Sequence, residues 1–282
     1  MLIGGIVALS LVVAVVSCFT SGAFLGLGWL WVLPVSFVGS FLSLAVLAFL
    51  FLWLLAAIVD MEKAQEHDSP FYRGVLKLYI PAIMTILQAR VHTEGTEKIP
   101  TDSRFLLVCN HINDMDPVTL LHVFPNSQLA FISKRENDKR FIVGPMLHRI
   151  MCQPINREND REALKTILNC VRLLKEDEVS IAVFPEGYTS MDGLLRHFRS
   201  GVFKIAQKTK LPIVVCTVKN TNQLFKNAPK LISTDVYVHL LDVLQPEDYE
   251  GMTTVELGDK VYHMMADDLG PALVLETAGK EE

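Results

Sequence analysis

The first 59 residues contain no Asp, Glu, Lys, Arg or His, and Asp60 is the first charged side chain of the 282-residue chain. Helices of a soluble bundle seldom run so far without charge, because their outer faces need solvation. The stretch therefore reads as a membrane segment. Cysteine is sparse: Cys18, Cys109, Cys152, Cys170 and Cys216 form no CxxC pair, which fits buried thiols in a reducing compartment and not a disulfide frame or zinc site. Cys109, closing an apolar strand, takes the place of a small apolar residue. A formal net charge of −5 offers no dense basic face, so general nucleic-acid binding is excluded. The chain has no GxSxG nucleophile motif, internal repeat or low-complexity segment.

Two apolar runs fill the charge-free region, "MLIGGIVALSLVVAVVSCF" and "PVSFVGSFLSLAVLAFLFLWLLAAIV". A span takes ~20 apolar residues, so the second run suffices and the first is marginal. Between them lie glycines, Trp29 and Trp31, which suit a turn with both indoles at the membrane interface. A cleavable signal peptide would want a basic leading segment, and none is present. Lys63, Arg73 and Lys77 follow the second run, while the connecting loop has no Lys or Arg. The positive-inside rule then puts the polar remainder on the cytoplasmic side of the cell membrane, as a re-entrant hairpin also would.

"SPFYRGVLKLYIPAIMTILQAR" repeats apolar residues at helical spacing (Phe71, Val75, Leu78, Ala82, Ile86, Leu87), with Arg73 and Lys77 on the flank. It predicts a helix that lies either at the membrane surface or on the core, kinked at Pro81. After residue 90 the texture alternates. "RVHTEG", "FLLVCN", "LAFISK", "MCQPIN", "VSIAVFPEG", "LPIVVCTVKN" and "STDVYVHLLDVL" read as strands, and "DREALKTILNCVRLLKED" as an amphipathic helix. The expected fold is α/β, a mixed sheet flanked by helices and preceded by a membrane helical hairpin. The expected divisions are a membrane anchor over 1–59, an interfacial or linker helix over 60–90, a catalytic domain over 91–270 and a tail over 271–282.

The strand "FLLV" runs straight into "CNHINDMDPVTL". Asp116 before Pro117 is a helix start, so Asp116 is expected to cap the helix that follows. His111 would lie at the strand end, and across the strand–loop–helix corner the two side chains can meet. On a continuous helix five positions are ~140° apart and they could not. A carboxylate on one ring nitrogen fixes the tautomer and leaves the other as a general base. With no Ser in the loop, that base would act on a substrate hydroxyl. A plain capped loop competes with this reading. A metal site built on Asp114, Asp116 and His122 also competes, though no matching ligand pair occurs elsewhere. Further on, "VSIAVFPEGYTS" ends a strand at Glu186 and Gly187, where the glycine lets a ligand approach the backbone and the carboxylate could accept from hydroxyls.

In order and spacing, "NHINDMD", "ISK" with "FIVGPMLHRIMCQPINREN", "FPEGYTS", and "FRSGVFKIA" with "LPIVV" resemble the glycerolipid acyltransferase family, from about Val91 to Leu269. Its best-known members are the 1-acyl-glycerol-3-phosphate acyltransferases. The resemblance implies a catalytic pair His111 and Asp116, with Asn110, Lys134, Arg157, Glu186 and Gly187 at the substrate site. It implies acyl transfer from acyl-CoA or acyl carrier protein to the hydroxyl of lysophosphatidic acid. The thioester is then a co-substrate; no cofactor and no metal are expected. Three positions depart from the family pattern. Thr189 stands where Arg is usual, Asn156 where Asp is common, and Val215 where Pro is. A phosphate monoester wants at least two cations or a helix N-terminus. Arg199, at a commonly basic family position, is the expected substitute for the missing Arg.

Overall fold

The computed structural model describes residues 1–156, 159–190 and 192–275. Its N-terminal part is a hairpin of α1 (Leu2–Thr20) and α2 (Trp29–Ala57). Ser10, Ala14 and Cys18, four residues apart on α1, are fully buried, a small-residue seam that lets two backbones approach. The outward faces are apolar and open, with Trp31 77% and Leu47 59% exposed. Both helices are long and apolar enough to cross a membrane. At 29 residues α2 is ~44 Å long, well beyond the ~30 Å hydrocarbon layer.

That excess length is clad by α3 (Pro70–Ile86). Tyr72 donates its hydroxyl to the Leu55 carbonyl (3.0 Å), and Tyr79, two turns later, to the Ala48 carbonyl (2.7 Å). The pairs run in opposite chain directions, so α3 lies antiparallel on the last turns of α2. α3 has one face in the core and one face open. Tyr72, Val75, Tyr79, Ile80 and Met84 are buried, while Phe71, Leu78, Ile83 and Ile86 face outward. The helix runs unbroken through Pro81. Arg73 is not the flanking surface charge the sequence implied. It is buried, pairs with Asp68 at 3.0 Å, and donates to the carbonyls of Leu129 and Ile150. Chain proximity to the apolar run concealed this inward turn.

The strands β1 (Ala89–Glu94), β2 (Leu106–Cys109), β3 (Leu129–Lys134), β4 (Gln153–Ile155), β5 (Ser180–Val183), β6 (Ile213–Lys219) and β7 (Thr234–Leu244) form one sheet in the order β1-β7-β6-β2-β5-β3-β4. Neighbours are parallel except β6 and β7, so the sheet is mixed. β2 and β5 are buried at every position, and β6 at all but its last, as strands covered on both faces must be. β7 alternates buried and open, and β1 is a mostly exposed edge carrying Arg90, His92 and Glu94. The flanking helices are α4 (Asp116–Val123), α5 (Val143–Arg149), α6 (Asp160–Lys175), α7 (Lys204–Thr209), the single turn α8 (Leu224–Asn227) and α9 (Thr254–Leu269). Of the stripe its sequence spacing predicts (Ala163, Ile167, Cys170, Val171, Leu174), α6 buries all but Ala163, which is half-buried. Leu55 and Ala56 of α2 belong to the same core as the sheet, so the hairpin and the α/β part share one interior.

Candidate active site

The site forms beyond the carboxyl ends of β2, β5 and β6, where open α/β sheets place ligands. β2 delivers His111, whose side chain is 13% exposed; Asp116, at the start of α4, is fully buried. His111 Nδ1 lies 2.8 Å from Asp116 Oδ2. The same oxygen accepts the N–H of Ile112 (2.7 Å) and of Asn113 (2.8 Å), and Thr221 donates its hydroxyl to Oδ1. A buried carboxylate is tolerated when donors replace its water, and here four do so. Asp116 does not cap α4 as its sequence context suggested. It is the first helical residue, after an N-cap at Met115, and its carboxylate turns back into the 111–113 loop. Asp114 points outward to Arg140 (2.9 Å).

Phe184 stacks on the imidazole, ring centres 4.2 Å apart and planes 18° off parallel. Beyond it, Thr189 Oγ1 sits 3.0 Å from His111 Nε2. With Asp116 on one nitrogen, Thr189 on the other and Phe184 on a face, the ring is positioned on three sides. Gly187 makes the turn that brings Thr189 round, at φ 82°, and a Cβ there would meet the Arg199 side chain at 2.9 Å.

Glu186 and Asn110 do not meet the expectation of substrate contact. Glu186 is 1% exposed. It accepts from His111 N (2.8 Å), Ser190 Oγ (2.7 Å) and Arg196 N (3.1 Å), bracing the two loops together. Burial pushes its carboxyl up, against the pull of these donors. Asn110, also 1% exposed, pairs with the Val218 backbone at both ends of its amide. In both cases the polar partner is inside the protein, where strand-end position alone could not place it.

Lys134 is exposed at the end of β3, and Arg157 lies outside the described residues. Arg196 is held by Asp192 (2.6 Å) and lies over the Tyr188 ring. Arg199 is exposed, with its backbone N–H on the Pro185 carbonyl (2.8 Å). Arg199 and Lys204 line one cavity of about 460 Å³, whose apolar wall includes Ile132, Leu164, Ile167 and Val183. Among the described residues neither cation forms an ion pair. A larger hollow of about 680 Å³, around Asp60, Lys63, Tyr72 and Arg149, contains none of the site residues. Sequence reasoning missed Thr221, Phe184 and the Thr189 contact. Phe184 alone had a signal, as the ring next to the Pro185-Glu186-Gly187 turn.

The arrangement supplies a tautomer-fixed imidazole, an apolar cavity and nearby cations. The acyltransferase family model matches residues 90–219. The chain is 30% identical over 168 residues to the 1-acyl-sn-glycerol-3-phosphate acyltransferase of Bacillus subtilis, covering 57% of this chain and 81% of that one. It is 31% identical over 165 residues to the enzyme of the same name from Borreliella burgdorferi, where it covers 57% of this chain but just under two thirds of the relative, 65%. The crystal structure of the 1-acyl-sn-glycerophosphate acyltransferase of Thermotoga maritima superposes with a TM-score of 0.59 at 26% identity, covering 78% of this chain and 86% of that one. On these similarities the chain belongs to the 1-acyl-sn-glycerol-3-phosphate acyltransferase family.

Proposed function

We propose that this protein is a membrane-anchored acyltransferase. It moves a fatty acyl group from a thioester, acyl-CoA or acyl carrier protein, to the free hydroxyl of lysophosphatidic acid, giving phosphatidic acid for phospholipid synthesis. The observation that carries the reading is the His111–Asp116 pair at 2.8 Å, with the carboxylate fully buried. His111 Nε2 takes the proton of the acceptor hydroxyl as its oxygen attacks the thioester carbonyl. Asp116 stabilises the imidazolium that forms, and the proton then goes to the departing thiolate as the C–S bond breaks. Arg199 and Lys204 attract the acceptor phosphate, while the apolar wall beside them takes hydrocarbon. Lys134 and Arg157 are further cations for that phosphate by family resemblance. The hairpin of α1 and α2 is the anchor, with the catalytic part on the cytoplasmic side, as Lys63 and Lys77 after α2 indicate.

One observation favours a second acceptor. The residue on His111 Nε2 is the uncharged Thr189, which suits a lysolipid whose anionic group stands farther from the reacting hydroxyl. Purified membranes given radiolabelled acyl-CoA or acyl carrier protein, with a panel of lysolipids, test both readings. Label in phosphatidic acid supports the first, and label in another two-chain lipid supports the second. Label only in free fatty acid with every acceptor would sink both.

A further inference from the structure

The base of this site is already occupied. Thr189 Oγ1 lies 3.0 Å from His111 Nε2, the nitrogen that an acceptor hydroxyl must reach. The contact is not the accident of a free loop. Ser190, the next residue, donates its N–H to the carbonyl of His111 itself (2.7 Å) and its hydroxyl to Glu186 (2.7 Å). Glu186 in turn accepts the His111 N–H (2.8 Å). Thr189 is thus carried on a segment bolted to both sides of the His111 peptide. Asp116 takes Nδ1 and Phe184 covers one face of the ring. Thr189, which sits on Nε2, is only half-buried.

We propose that Thr189 is a gate on the base. Its hydroxyl holds Nε2 until the acceptor hydroxyl displaces it, by rotation of the Thr189 side chain. A thioester that binds before the acceptor then meets no imidazole-bound water, and acyl transfer is favoured over hydrolysis. Thr189 is a positioning residue in this scheme and forms no bond to the acyl group. The inference rests on the acyl-transfer reading above.

The test is a product ratio, free fatty acid to two-chain lipid, measured with radiolabelled acyl-CoA at fixed lysophosphatidic acid. Thr189→Val keeps the shape and removes the hydroxyl. It should raise the ratio by about 2- to 10-fold, the scale of one lost hydrogen bond, and Thr189→Ser should restore the wild-type ratio. A ratio that stays at the wild-type value in Thr189→Val overturns the gate, whatever happens to the separate rates. Label covalently attached to wild-type protein and absent from Thr189→Val also overturns it, because Thr189 would then carry the acyl group. If wild-type protein makes no two-chain lipid with any acceptor, the transferase reading fails by itself. The gate is then judged on fatty acid release alone, and an unchanged rate in Thr189→Val overturns it.

Discussion

Asn110 and Val218 are joined by two hydrogen bonds, the amide donating to the carbonyl at 3.0 Å and accepting from the N–H at 2.8 Å. The side chain thereby extends the ladder between β2 and β6 by one residue, at the point where β2 must stop to release His111. Asn110→Ala leaves two buried backbone groups unpaired, at about 1–3 kcal/mol each when no water enters. A fall in Tm of about 2–4 °C per kcal/mol is expected for a chain of this size. Activity should fall with it, recovering at temperatures where the variant is folded.

His111→Ala should lower kcat by about 10²–10⁴, the contribution of a positioned base. Asp116→Asn should damage both activity and stability, because a carboxamide cannot accept from His111, Ile112, Asn113 and Thr221 together. Paired kinetics and thermal melts separate the two effects. Near-normal turnover in His111→Ala would remove the imidazole from the mechanism.

Arg199→Ala should raise KM for lysophosphatidic acid by about 10-fold, equivalent to ~1.4 kcal/mol. KM for a neutral acceptor such as monoacylglycerol should barely move. An equal rise for both would assign Arg199 to packing over Gly187.

Removing residues 1–59 strips α2 from the face of α3 that carries Tyr72 and Tyr79. The shortened chain is expected to aggregate without detergent. A monomeric, detergent-free product in size-exclusion chromatography would show that the hairpin contributes attachment alone.

Asp268, near the end of α9, accepts from Thr217 (2.6 Å) and pairs with His239 (2.5 Å) and Lys219 (3.3 Å), tying the helix to β6 and β7. Burial pushes its carboxyl up, but these partners outweigh burial and hold it below the usual 3.8. A depressed carboxyl adds stability that is present above its unfolded value and lost as pH falls through the folded one. Tm should therefore drop on acidification below about 3.8, and less steeply in Asp268→Asn than in wild type. Parallel acid limbs for the two proteins would contradict this.

The strands were legible because "FLLV", "SIAVF" and "IVVCTVK" are compact apolar runs bounded by turn residues, and burial on both faces leaves that mark. The His111–Asp116 pair was legible for a local reason, since its members are five residues apart across one corner. Thr221 was not: it lies 105 residues from Asp116 in the chain and meets it only through the β2–β6 pairing. Glu186 and Asn110 were read as facing substrate because a strand-end polar residue looks the same whether its partner is a ligand or a backbone amide. Thr189 was read as a missing cation, and its place on the base emerged only with the fold of the Gly187 turn.

All five cysteines are buried, and burial pushes Cys152 up to about 12 and Cys109 well above its ordinary range. Water-soluble maleimides react with exposed thiolates, so the native chain should be a silent background for them. One introduced thiol then reports its own side of the bilayer. Leu25→Cys, at the 96% exposed tip between α1 and α2, would be labelled from outside intact cells if the hairpin crosses the membrane. Labelling of that tip only after the cells are opened would mean that the chain enters and leaves through the same leaflet.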